Sequence, residues 1–284
     1  MSLVNLCGML QAAEEGGYAV PSFNVSTLET LKGIVQAAEE ARSPLIVAIT
    51  PKFLDYFGPE YFCPMAVNVL RQASVPVALH LDHGRTLADV MTAIRGGFTS
   101  VMIDGSAHSF EENVALTKLV VELSKPLGVS VEGELGRLIL ADGSMGENSA
   151  DNMTDPKMAG EFARQTGVDA LAVSVGNAHG VYAKKPEIDV DRLIAIRAAT
   201  DSGTALVLHG GSGTPRIPEL IQNGIRKINI NADFQIAYRT AISQVLQLHP
   251  GENLYSDDLL VGAIDAIRQV GIERIRDFGS DGRA

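Results

Sequence analysis

Long apolar runs are missing from this 284-residue chain: nowhere do about 18 hydrophobic residues follow one another, the length a membrane-spanning helix requires. A charged-then-apolar secretion leader is missing too, and the expected setting is the cytoplasm, with no membrane partner. Cysteine is scarce. Cys7 and Cys63 share no metal-ligand spacing and fit a reducing compartment better than a disulfide scaffold, so both are expected to be packing residues. Basic charge is short as well: 23 Lys and Arg stand against 34 Asp and Glu, a net charge of −11 with no basic cluster. Nucleic acid is therefore not an expected partner, and an anionic ligand must be held by local devices such as helix N-termini. No linker composition interrupts the chain. With 46% hydrophobic residues it can bury one large core, and residues 1–284 are expected to form a single domain.

What is present is an alternation. Strand-like runs at 18–25, 45–50, 77–82, 100–104, 129–134, 170–175, 205–209 and 227–231 are each followed by a helix-like segment, and a further helical pattern covers 258–277. Ser26 and Thr27, with Glu29 just inside, form the first clear helix start. Eight such pairs predict an α/β protein, a (β/α)8 TIM barrel with an extra C-terminal helix; strand number disfavours the competing doubly wound sheet. One stretch breaks the rhythm. Residues 136–152 are rich in Gly, Ser, Asp and Asn and too long for an ordinary connection, which points to a functional or disordered segment.

The densest chemistry lies in the run Val-Ala-Leu-His-Leu-Asp-His-Gly at 77–84. In an extended strand His80 and Asp82 face the same way, and His83 takes the opposite face unless the strand has already ended. Unpaired polar groups in a dry core cost about 2–7 kcal/mol each, so a partner such as a metal ion is expected. In a barrel of this kind the active site lies at the carboxyl ends of the strands. The polar residues there are Asn24, Thr50, Asp82, His83, Asp104, Glu132, Glu134, His179, His209, Asn229 and Asn231. His83, His179 and His209 each precede a glycine. One His-Gly pair is ordinarily a turn, but three at one rim with carboxylates nearby make an open metal site, and nitrogen ligands suit zinc. His80, His108 and His249 are expected to be structural. The glycine-rich run at 209–213 and the segment 229–233, which ends a strand just before a helix, occupy the usual phosphate position of this architecture.

In these runs the chain resembles the class II, zinc-dependent ketose-bisphosphate aldolases, in their fructose- and tagatose-bisphosphate branch. The matching segments are 18–24, 80–84, 100–104, 130–136, 176–180 with Tyr182, 209–213, 227–231 and 282–284, in family order. The resemblance implies that His83, His179 and His209 bind one catalytic Zn2+ per subunit, while Glu134 and Asp104 hold the metal in a more buried position. It implies that Asp82 exchanges a proton with the aldehyde oxygen. Gly180, Gly210, Gly211, Ser212, Asn229, Ile230, Asn231 and Ala232 are implied to hold the dihydroxyacetone phosphate half, and the strand-end residues Asn24 and Thr50 are taken as further substrate-binding positions. The implied reaction is reversible cleavage of a ketose 1,6-bisphosphate to dihydroxyacetone phosphate and glyceraldehyde 3-phosphate. A monovalent cation is a further implied cofactor. Assembly through the terminal helices into a homodimer or homotetramer is implied, as is a non-catalytic partner subunit in the tagatose branch.

Three departures bear on the substrate. Where relatives carry a Gly-Gly-x-Glu-Asp-like segment this chain has Leu138-Ile139-Leu140-Ala141-Asp142-Gly143, so Asp142 or Glu147 is taken as the substitute acid/base. Ala232 stands where a threonine hydroxyl is expected, a missing charged hydrogen bond of roughly 1.5–3 kcal/mol. Ile264 falls where relatives often carry a basic residue for the distal phosphate. Arg268, Arg274, Arg276 and Arg283 are the substitutes at hand, unless they form a solvated helix face. The alternatives are therefore the same lyase chemistry on a different ketose, a mono-phosphorylated one included, or a non-catalytic aldolase-like partner subunit. A metal hydrolase on this barrel would want a His-x-His pair in the first strand, and residues 18–24 have none.

Overall fold

Eight short apolar segments become the strands of the barrel: β1 (Val20–Asn24), β2 (Leu45–Ile49), β3 (Val77–Gly84), β4 (Ser100–Ile103), β5 (Ser130–Leu135), β6 (Ala170–Val173), β7 (Ala205–Leu208) and β8 (Ile225–Ile230). All neighbours are parallel, and β1 pairs with β8 as well as β2, so the sheet closes. The computed structural model describes residues 2–136, 152–180, 186–201 and 203–284. Among them the helices are α1 (Leu6–Gly16), α2 (Leu28–Ala41), α3 (Pro51–Phe57), α4 (Pro59–Arg71), α5 (Leu87–Arg95), α6 (Phe110–Ser124), α7 (Pro156–Thr166), α8 (Val190–Ala199), α9 (Ile217–Gln222), α10 (Ala232–Leu248) and α11 (Ser256–Asp277). None is long and apolar enough to cross a membrane. The (β/α)8 barrel expected from the alternation is the fold, and α11 is the extra C-terminal helix, packed on α2 and α10.

Local chemistry sets the helix starts. Thr86 and Ser109 cap α5 and α6 in reciprocal boxes with Asp89 and Glu112, and Thr27 caps α2. Each such cap contributes about 1 kcal/mol. Two helices were not expected. α1 is an amphipathic helix whose Leu6, Met9, Leu10 and Ala13 pack against Val20, Ile46, Ala78, Met102, Ala170, Ala172, Ala205 and Val207, closing the floor of the barrel. α3 is a single short element started by Thr50 and Pro51. Cys63 is buried as expected, whereas Cys7 is exposed on α1 with its thiol 3.3 Å from Asp169 Oδ1.

Strand alternation sorts the inward side chains into tiers. The tier against α1 is apolar apart from Ser130, whose hydroxyl accepts the Leu6 N–H at 3.0 Å. Above it lie His80, Ser100, Glu132 and Lys227, and above those Asn24, Asp82, Glu134, His209 and Asn229, every one of them buried. The fold thus dedicates one end of its interior to packing and the other to polar chemistry.

Outside the barrel, helices approach closely where glycine allows. A Cβ on Gly160 of α7 would lie 2.3 Å from the carbonyl oxygen of Ala199 on α8. Gly160→Ala is expected to cost about 1–3 kcal/mol by overpacking, outweighing the roughly 1 kcal/mol gain in helix propensity. A thermal unfolding midpoint equal to or above wild type would show that α7 and α8 separate at no cost.

Candidate metal and acid–base site

His83 is where the strand pattern breaks. Its φ of 54° is left-handed, and the β3–β4 register shifts between Leu81 and Gly84. Such a turn costs a non-glycine residue roughly 1–2 kcal/mol. It reverses the parity of the strand, so that His83 joins Asp82 at the rim of the barrel instead of facing the outer helices. His209 enters just beyond β7, and His179 beyond β6. The ring centroids lie 4.9 Å (His83–His179), 4.7 Å (His83–His209) and 6.0 Å (His179–His209) apart. One nitrogen from each lies within 4.8 Å of the others.

The donor set fits a divalent cation. His209 Nε2 is 2.7 Å from Glu132 Oε1, so that nitrogen carries the proton and Nδ1 carries the lone pair. His83 Nδ1 faces Asp104 Oδ2 at 3.3 Å, which leaves its Nε2 facing His209 Nδ1 at 3.0 Å. Two lone pairs do not meet at that distance without a cation between them. In the metal-free chain that cation is a proton on His83. Burial opposes it, yet the charges of Asp82, Asp104 and Glu134 outweigh burial and hold the imidazolium up to about 9. Burial brings His179 down to about 4, with His83 adding to the effect, so its ring is neutral.

A second, deeper set shares His83 and adds Asp104 and Glu134. Glu134 Oε2 is buried without a hydrogen-bond partner, 3.6 Å from His83 Nδ1. Burial pushes this carboxyl up to about 8, against the pull of His83 and with Asp104, Glu132 and Asp82 reinforcing it. An orphaned buried oxygen of this kind is what a cation in the deeper position would satisfy.

Asp82 is the acid–base candidate the geometry supports. Asn24 Nδ2 donates to its Oδ2 at 2.6 Å and Asn229 Nδ2 to its Oδ1 at 3.1 Å. His83 Nε2 and His209 Nδ1 each lie 4.0 Å from Oδ1. Burial alone would raise this carboxyl, but His83, His209, Lys227 and the Asn24 hydrogen bond bring it down to about 2. It is a carboxylate at any working pH.

The other residues picked out from the sequence distribute as follows. Gly210 has φ 63°, and a Cβ there would strike the Ala178 carbonyl oxygen at 2.0 Å. Gly211 N–H donates to Asn229 O at 2.9 Å, and Asp233 N–H to Ser212 Oγ at 3.3 Å, so the loops after β7 and β8 are stitched together at the start of α10. Asn231 and Ala232 form that start, and Asn231 makes no side-chain cap. Gly180 is exposed with φ 103°. Ile230 instead packs into the hydrophobic layer. Thr50 Oγ1 accepts from Phe53 N–H as the cap of α3. Asp142, Glu147 and Tyr182 lie outside the described residues. Arg268 is engaged by Glu40 and Asp265, Arg274 by Asp233 and Asp277, and Arg283 lies over the Tyr18 ring. Ile264 lies on the outside of the barrel, where α11 meets Gly33 of α2. Sequence reasoning gave no role to the Lys227–Glu132 pair below the histidines; the available sign was a lysine two residues before Asn229, sharing its inward parity.

The family model "Fructose-bisphosphate aldolase class-II" matches residues 4–283. A protein named fructose-bisphosphate aldolase from Geobacillus stearothermophilus is 40% identical over 292 residues, covering 100% of this chain and 99% of its own. Among solved structures, the YdjI aldolase from Escherichia coli K12 superposes with a TM-score of 0.88 at 37% identity, covering 99% of each chain. A putative fructose-1,6-bisphosphate aldolase from Coccidioides immitis gives 0.84 at 28% identity, covering 97% of this chain and 96% of that one.

Proposed function

The chain belongs to the class II fructose-bisphosphate aldolase family and is an aldolase, and on that premise we propose that it carries out zinc-dependent, reversible aldol cleavage of a ketose 1,6-bisphosphate of the fructose or tagatose type. The products in this reading are dihydroxyacetone phosphate and glyceraldehyde 3-phosphate. The observation that carries it is the ionised Asp82, gripped by Asn24 and Asn229 beside three converging imidazoles. His83, His179 and His209 would hold the metal. When bound, it supplies Lewis-acid stabilisation of the negative charge that develops as the carbon–carbon bond breaks. Asp82 takes the proton from the C4 hydroxyl in cleavage and returns it to the aldehyde oxygen in condensation. Gly210, Gly211 and Ser212, with the N-terminus of α10, hold the phosphate of the dihydroxyacetone half through backbone N–H groups and the helix dipole. The enzyme works in the cytoplasm as a homodimer or homotetramer. The exposed Leu246, Leu248, Tyr255 and Val261 of α10, α11 and the link between them offer apolar surface for such an assembly.

A second reading keeps the chemistry and drops the distal phosphate. It is favoured by Ile264 and by the commitment of Arg268 and Arg274 to carboxylates. Comparing kcat/KM for fructose and tagatose 1,6-bisphosphate with their 1-phosphates decides between the two. A lost charged phosphate contact of roughly 1.5–3 kcal/mol corresponds to about 10- to 100-fold. A preference of that size for the bisphosphates supports the first reading, and parity or the reverse supports the second. No cleavage of any of the four with zinc bound would overturn both.

A further inference from the structure

The metal-facing His209 heads a row of buried polar side chains that reaches down into the barrel and exchanges no proton with the substrate. Ser100, His80, Lys227, Glu132 and His209 come from β4, β3, β8, β5 and the end of β7, and all are 0% exposed. Burying an ammonium and a carboxylate costs several kcal/mol per ion, and an apolar pair of equal volume would often be as stable or more so. Stability alone does not account for the row.

Each of its hydrogen bonds has a sense fixed by the ammonium and the carboxylate at its centre. Lys227 Nζ donates to Glu132 Oε2 at 2.6 Å and lies 3.4 Å from His80 Nε2. His80 Nδ1 is 2.8 Å from Ser100 Oγ, and Glu132 Oε1 is 2.7 Å from His209 Nε2. An ammonium only donates, so the lone pair of His80 must be on Nε2 and its proton on Nδ1. A carboxylate only accepts, so His209 must offer N–H at Nε2. We propose that the Lys227–Glu132 pair, backed by His80 and Ser100, is a positioning device that fixes the tautomer and ring angle of His209, so that Nδ1 is a ready metal donor before any metal arrives. Lys227 occupies one carboxylate oxygen and neutralises the charge, which leaves the other oxygen for His209. This rests on the reading of the rim as a metal centre.

Long-range 1H–15N correlation spectra of the metal-free wild-type chain test it. His209 is expected protonated on Nε2 and His80 on Nδ1; a His209 proton on Nδ1, or averaging between the two nitrogens, overturns the proposal. Glu132→Gln is diagnostic because Lys227 claims the amide oxygen and the amide NH2 then faces His209. The ring is expected to switch to the Nδ1–H form, and retention of the wild-type tautomer counts against the device. Zn2+ affinity, measured by competition with a chromophoric chelator, is expected to fall about 10- to 100-fold in Glu132→Gln and in Lys227→Met. Affinities within threefold of wild type in folded variants overturn the proposal. Should the variants fail to fold, the wild-type spectrum decides alone. Should the wild-type chain bind no zinc, the metal-centre reading fails while the tautomer measurement still judges the row.

Discussion

Asp82→Ala is expected to lower kcat for aldol cleavage by about 10²–10⁴-fold, the range a positioned general acid–base contributes, while leaving the metal in place. The metal stays because the imidazoles that converge there do not depend on Asp82 for their orientation: His209 is set by Glu132, and His83 by Asp104 and its own backbone turn. The proton transfer fails because the carboxylate itself is gone; in the wild-type chain Asn24 and Asn229 hold its two oxygens in place by hydrogen bonds. Asn24→Ala and Asn229→Ala should therefore produce smaller falls in the same constant. Steady-state cleavage rates with metal analysis on the same samples check this. A kcat within tenfold of wild type at unchanged metal content would remove Asp82 from the reaction.

Zinc affinity is expected to rise steeply with pH, and the sign follows from the metal-free site. There a proton on His83, held to about 9, sits between His83 and His209. Zinc must displace it. Below that pH each binding event releases a proton and the apparent affinity climbs about tenfold per pH unit; above it the imidazole is already neutral and the slope flattens. Between pH 7 and 9 the gain is therefore about 50-fold. Chelator competition at several pH values, with calorimetry in buffers of different ionisation enthalpy to count protons, measures it. A flat profile would mean that His83 is neutral in the free chain or is not a ligand. His83→Ala should abolish both the slope and tight binding.

Much of this was legible in the sequence because strand parity is a local rule. The alternation of 77–84, 129–134 and 227–231 already placed Asp82, Glu134 and Asn229 on one face, and eight repeats of the pattern left little choice of architecture. What escaped were contacts between residues far apart in the chain. The hydrogen bonds from Asn24 and Asn229 to Asp82 span 58 and 147 residues, so no spacing announces that these amides act on a carboxylate. Lys227 carries no local sign of its partner for a related reason: a lysine near the start of a strand ordinarily lies at the surface, and only closure of the barrel brings it against Glu132. α1 carries a helical pattern of Leu6, Met9, Leu10 and Ala13, but its role as a floor depends on tiers supplied by six of the strands. His83 is the instructive case, since its parity argued against the site until the left-handed turn reversed it.

That turn carries a consequence for the choice of ion. A chelating arm on a pliable stem wraps whatever enters and adjusts its reach to the guest. Here the arm is aimed by the polypeptide itself, and the arriving ion must conform to the cradle. Divalent ions that share a charge should therefore be ranked by how well their own radius and preferred polyhedron match a rigid opening, and swapping one for another should leave the strand path unchanged.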